Sequence, residues 1–140
     1  GDKIVLPVDC LVTDFFDFGA RKIGDLKQVG TDAIPADGES LDIGSQSIAK
    51  FRSILSNART VVWNGPMGAF EMDAFAQGTM ALAHTVASAH ALSITGGGAS
   101  NAAVRLSGEA DNISYMSTGG GAFLMLMEGK ELPGVQALEA

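Results

Sequence analysis

The sequence predicts an α/β fold in which helices cover a parallel sheet. Short apolar runs rich in β-branched residues recur at residues 4–8 (IVLPV), 60–63 (TVVW), 91–95 (ALSIT) and 113–116 (ISYM), and each is followed by a break bearing glycine or proline. Segments of helical period separate the last three runs. Runs without polar alternation suit strands buried on both faces, and strands alternating with helices argue for parallel pairing.

Taken in order, residues 4–8 form the first expected strand. Residues 9–44 are the exception, with five glycines, Pro35 and many aspartates. Within them residues 11–18 are expected to pair or pack locally, and the remainder is a polar excursion too long for an ordinary connection. Residues 45–58 place Ile48, Phe51, Ile54 and Leu55 on one face of a helix that leads into the second strand. Residues 73–88 have an acidic start and carry Phe75, Met80, Leu82, Ala83 and Val86 on an apolar side; residues 100–107 make a shorter helix. The last helix starts among Gly119, Gly120 and Gly121 and runs to Gly129. No internal repeat is visible, so residues 1–140 read as one unit.

Composition bounds the function. The 140 residues are 46% hydrophobic and 18% charged, ample for a buried core in a soluble globular chain. A net charge of -7 and the lack of any Lys/Arg cluster give no footprint for nucleic acid or an anionic membrane. No apolar stretch is long enough for membrane insertion. The single cysteine, Cys10, excludes an internal disulfide and suits a reducing compartment such as the cytosol or an organelle stroma or matrix. The start Gly1-Asp2-Lys3, without initiator Met or signal-like region, points to a processed chain or a fragment.

Two glycine triplets, Gly96-Gly97-Gly98 and Gly119-Gly120-Gly121, follow expected strands, as does the turn Asn64-Gly65-Pro66. In open parallel sheets ligands sit beyond the carboxyl ends of the strands, where helix N-termini also point. Bare backbone N–H groups there can hold phosphate oxygens without any cationic side chain. The competing reading is that the glycines only permit close strand–helix packing.

The stretches TVVWNGPMGAFE, ITGGGAS, STGGGA and MEGKELPGVQAL, with LPVD at 6–9 and LDIG at 41–44, resemble the C-terminal part of phosphoglycerate kinase over nearly the whole chain. The resemblance implies a nucleotide-binding domain that holds Mg-ATP or Mg-ADP opposite an N-terminal domain that binds 3-phosphoglycerate. It places Leu6 at the adenine pocket, with Gly65, Pro66, Gly68 and Ala69 as another wall. Asn64, Gly96, Gly97, Gly98 and Ser100 fall at the phosphates, and Glu71 at the ribose hydroxyls. Gly119, Gly120 and Gly121 would stabilise the phosphoryl group in flight. Trp63 is expected to pack beneath the turn rather than touch a ligand.

The implied fold is a doubly wound, Rossmann-like parallel sheet with helices on both faces, incomplete relative to the family. With a strand order of 3-2-1-4-5-6 the chain would retain strands 3, 4, 5 and 6. The absent pair would lie between residues 4–8 and 60–63. Either those runs pair directly or another polypeptide, the rest of the kinase or a complex partner, covers the slot.

Three motifs depart from the family pattern. Ala99 stands where the family's GGGD motif has its aspartate, which should weaken Mg-nucleotide binding, although Ser100 keeps a hydroxyl. Phe123-Leu124-Met125 replaces Ser-Leu-Glu, and Ser45 replaces the proline of DIGP. The family's basic phosphate clamp comes from parts outside these residues. The expected function is therefore a nucleotide-binding piece that is non-catalytic alone and acts as a subunit or binding module. The alternative is the C-terminal piece of an active kinase that moves phosphate between 1,3-bisphosphoglycerate and ADP in glycolysis or carbon fixation.

The other candidates are weaker. Met125 and Met127 suit a packed helix, and His84 and His90 lack metal-ligand or base spacing. Cys10 reads as buried structure, and Asp14, Asp17, Asp25, Asp32 and Asp37 as a solvated loop with no calcium-loop spacing. No protein metal ligand is expected.

Overall fold

The computed structural model describes residues 2–139. Three β units appear along the chain: an antiparallel sheet, a small hairpin and a parallel sheet. The antiparallel sheet has the order β4 (Leu26–Gly30), β1 (Asp9–Thr13), β5 (Glu39–Ile43). The hairpin joins β2 (Phe16–Asp17) to β3 (Lys22–Ile23), with Phe16 opposite Ile23 and the rings of Phe16 and Phe18 edge to face, 5.0 Å apart. Residues 9–44 are thus an ordered sheet, not an irregular excursion. Strands β4 and β5 read LKQVG and ESLDI; mostly solvated, they lack the β-branched run that marks a strand buried on both faces.

The expected first strand is also corrected. Residues 4–7 form no strand, and Ile4 and Leu6 are exposed. Pro7 has no N–H to give a ladder. The backbone of this segment is held instead by helix α1 (Ser45–Leu55): Ser47 Oγ accepts the N–H groups of Val8 (2.9 Å) and Asp9 (3.1 Å), and Lys50 Nζ donates to Leu6 O. Pairing begins one residue past Val8 and is antiparallel, with Cys10 opposite both Val29 and Ile43.

Asp9 explains why α1 starts where it does. Gly44 precedes the helix and offers no side-chain cap, but the Asp9 carboxylate accepts the Gln46 N–H (3.0 Å), the Ser47 N–H (2.8 Å) and the Ser47 hydroxyl (2.6 Å). An acceptor from another strand therefore satisfies first-turn donors. Burial opposes the Asp9 charge, yet these hydrogen bonds hold its carboxyl below the ordinary value. Ser45, in place of the family's proline, is accommodated locally: its N–H donates to Gln28 Oε1 and its hydroxyl accepts from Gln28 Nε2.

The parallel sheet runs β6 (Thr60–Asn64), β7 (Leu92–Gly96), β8 (Tyr115–Ser117). Between them lie α2 (Gln77–Ser88), preceded by a 3-10 turn at Asp73–Phe75, and α3 (Gly98–Ser107). After β8 come α4 (Gly120–Met127) and a short α5 (Pro133–Glu139) that periodicity did not reveal. Val61 and Trp63 point from β6 into a core made with Leu82, Ala83 and Val86 of α2 and Ala103 and Val104 of α3. Fully burying side chains such as Val86 and Val104 is worth about 1.5–3 kcal/mol each. The alternate residues Val62 and Tyr115 stay exposed at 41% and 64%.

The retained parallel strands number three rather than four, because the residue 4–8 run does not join them. Among the described residues nothing pairs with the outer edge of β6. Beside it runs an apolar groove of about 340 Å³ lined by Val5, Phe51, Ile54, Leu55 and Val62.

Candidate functional site

Parallel pairing sets the site. Asn64 lies opposite Gly96, and Gly96 opposite Ser117, so the chain leaves β6, β7 and β8 at one edge of the sheet. Adjacent strands are about 4.8 Å apart, so the three exits span on the order of 10 Å.

Specific hydrogen bonds tie the turns together. Asn64 Nδ2 donates to Gly96 O at 2.8 Å, and Ser100 Oγ accepts the Gly65 N–H at 2.7 Å. Gly97 N–H donates to Ser117 O, which also accepts from Asn101 Nδ2 at 2.9 Å. Trp63 lies under the first turn, its indole N–H donating to Gly65 O at 2.6 Å. It is a packing residue, as its place in the core requires.

Glycine is needed here for two separate reasons. Gly65 and Gly97 adopt φ of +94° and +95°, a region other residues enter at a cost. Gly97 and Gly120 are packed against each other, since a Cβ on Gly120 would sit 3.2 Å from Gly97 Cα. The aromatic ring of Phe123 fills the space over Gly96, where an added Cβ would meet it at 2.5 Å. The family departure at Phe123 is thus part of how α4 seats on β7.

Gly98 and Gly121, by contrast, look onto open space. They belong to the first turns of α3 and α4, whose leading amides have no carbonyl one turn back. Two sets of free N–H groups and two positive helix ends therefore meet at one edge. No charged side chain occurs in residues 92–104 or 113–127, so the local field is that of the backbone.

The other predicted residues lie elsewhere. Pro66, Gly68 and Ala69 border an open cleft of about 450 Å³ that they share with Cys10, Leu41 and Asp42 of the antiparallel sheet. Gly68 sits hard against the Asp42 carboxylate and Leu41 O, and Ala69 N–H donates to Leu41 O. Glu71 is exposed at the far end of this turn, and Leu6 is on the exposed segment before β1. No hydrogen bond joins Leu6 or Glu71 to the glycine turns among the described residues.

Sequence reasoning missed Thr79, whose hydroxyl accepts the N–H groups of Met67 and Gly68, and Asp42, which accepts from Gly78 N–H and Ile43 N–H. Burial pushes the Asp42 carboxyl up despite those two bonds. A Thr inside the apolar run of α2 and an Asp inside β5 were the available signals. His84 pairs with Glu109 at 2.7 Å, away from the turns. Glu109 is held below the ordinary glutamate value by hydrogen bonds, from Asn112 first and His84 second.

The unpartnered backbone N–H groups at the start of α3 and α4 are donors of the kind that suit phosphate oxygens. Ala99 brings no side-chain oxygen to the first turn of α3. Among the described residues no group of three or more His, Cys, Asp or Glu could hold a metal, and no helix is long and apolar enough to cross a membrane.

A family model for phosphoglycerate kinase matches residues 1–130. The chain is 63% identical over 140 residues to the phosphoglycerate kinase of Desulfotalea psychrophila, covering all of this chain and 35% of that protein. It is 51% identical to the same enzyme of Geotalea uraniireducens, with 99% and 34% covered. The solved phosphoglycerate kinase of Coxiella burnetii superposes with a TM-score of 0.85 at 41% identity, covering 94% of this chain and 33% of that one. For that of Pyrococcus horikoshii the TM-score is 0.77 at 36% identity, with 95% and 32% covered. The chain spans about a third of the length of these relatives.

Proposed function

The chain belongs to the phosphoglycerate kinase family, and on that premise we propose that it is the nucleotide-binding part of such a protein, non-catalytic by itself and working as a subunit of a larger assembly. One observation carries the reading: Gly65, Gly97 and Gly120 are brought to one sheet edge, where α3 and α4 begin with Gly97 and Gly120 in close approach. A bound ATP would carry the transferable phosphoryl group, and a bound ADP would accept one. The amides of residues 98–100 and 120–122 would bind and orient the phosphate oxygens, with Asn64 fixed beside them by Gly96. Leu6, Pro66, Gly68 and Ala69 would frame the base, and Glu71 would take the ribose hydroxyls.

Catalysis alone is unfavourable for a physical reason. Phosphoryl transfer needs positioned cations to offset the charge on the moving group, and residues 92–104 and 113–127, which hold the strand ends and first helix turns at the edge, carry no Lys, Arg, Asp or Glu. We further propose that another polypeptide, either the rest of the kinase or a complex partner, covers the open β6 edge and its apolar groove by adding a strand. A monomer at high concentration in analytical ultracentrifugation would count against that cover.

The second reading, a piece of an active kinase, is favoured by the meeting of the three turns at one sheet edge. A chimera separates the two: these 140 residues replace the matching segment of the Desulfotalea psychrophila enzyme, and coupled ATP formation is measured. The first reading expects a large loss of rate, recovered in part by Ala99→Asp together with magnesium-dependent ADP affinity measured by calorimetry. A chimera as fast as the parent enzyme would overturn it in favour of the second.

A further inference from the structure

We propose that Asn101 is a positioning residue that fixes the distance between the second and third glycine turns and thereby sets affinity for the phosphates of a nucleotide without touching them. The inference rests on the nucleotide reading for its ligand, but its geometry stands independently. Asn101 is buried to 2% exposure in α3, one turn past Gly97. Its side chain makes two bonds in opposite directions. Oδ1 accepts the hydroxyl of Thr95 on β7 at 2.7 Å, and Nδ2 donates to Ser117 O at the end of β8 at 2.9 Å.

The regular β7–β8 pairing stops at Gly96 and Ser117. Beyond it, among the described residues, only Gly97 N–H, at 3.2 Å, and Asn101 reach Ser117 O. Ser117 in turn starts the third turn, its Oγ accepting the Gly119 N–H at 3.3 Å. Asn101 therefore extends the ladder past the last paired residue and holds Gly97 and Gly120 at their close approach. A buried amide with both ends satisfied fixes a single arrangement, because any shift strands a polar group away from water.

Asn101→Asp isolates the bond that matters. It has the same shape and still accepts from Thr95, but it loses the donor to Ser117 O and sets one oxygen against another. The full 140-residue chain is studied by amide hydrogen exchange and by calorimetry with ADP and with adenosine. We expect exchange at the hydrogen-bonded amides of Gly97, Gly119 and Phe123 to quicken about tenfold, the scale of one lost buried hydrogen bond, and ADP to weaken about tenfold with adenosine unchanged. If exchange at those three amides stays as in the unsubstituted chain, or rises equally in the core at Val61 and Val86, the inference is overturned. An equal loss for ADP and adenosine overturns it too. If the unsubstituted chain binds no ADP, the proposed function fails and the exchange measurement alone decides Asn101. Should the new carboxylate prevent folding, Asn101→Ala is read by the same outcomes.

Discussion

Ser100→Ala tests the joint between the first turn and α3. The Ser100 hydroxyl is 1% exposed and accepts the Gly65 N–H at 2.7 Å. Alanine leaves that half-buried amide without its protein partner, which costs about 1–3 kcal/mol. For a chain of this length each kcal/mol lowers the thermal midpoint by about 4 °C, so a fall of about 4–12 °C is expected. The only tryptophan reports the same event, since Trp63 donates to Gly65 O. Calorimetric melting and Trp63 emission should therefore change together, with emission moving to the red as the loosened turn admits water to the buried indole. Ser100→Thr, which keeps a hydroxyl, should retain most of the emission signature. A Ser100→Ala chain that melts within about 1 °C of the parent with unchanged emission would refute the coupling, because the expected cost is several times larger.

Neighbouring glycines should respond in opposite ways. Gly97→Ala forces φ of +95° on a residue with a Cβ and should cost about 1–3 kcal/mol in urea unfolding. Gly98→Ala, at a helical position with open space around it, should be neutral or stabilise by up to about 1 kcal/mol; equal losses for the two would contradict the backbone assignment. Two aspartates should give opposite pH trends. Asp9, depressed below 3.8, contributes stability that is present above that value and is lost as pH falls through its folded-state value, and Asp9→Asn should flatten this acid limb. Asp42, raised above 3.8, contributes stability that is present below that value and is lost as pH rises through its folded-state value. The stability difference between the parent and Asp42→Asn should therefore favour the parent more at about pH 4 than at about pH 7, and a difference constant across that range would count against it.

The parallel half of the fold was legible because β6 and β7 and their helices obey simple periods, and glycine triplets announced the turns after them. The antiparallel half was not. Its central strand, DCLVT, is buried by partners that arrive from residues 26–43, and those partners carry polar, solvated residues. The IVLPV run read as a strand on composition, but Pro7 and the donors and acceptors of α1 claimed its backbone. The convergence of the site followed from strand order. The groups that tie it together did not, because Asn101, Thr79 and Asp42 act through tertiary hydrogen bonds that leave no spacing in the sequence. The Ser45 departure likewise became interpretable only with Gln28 beside it.

The small hairpin offers a place to divide the molecule. Its tip carries exposed Arg21 in a left-handed conformation followed by Lys22, a bond open to a protease that cuts after basic residues. Cutting there would leave β1 on one piece and both strands that clasp it, β4 and β5, on the other. The two pieces should reassociate when mixed, with β1 acting as a plug between its neighbours, and the pair would serve as a split reporter whose reconstitution lights up through whatever is fused at the cut.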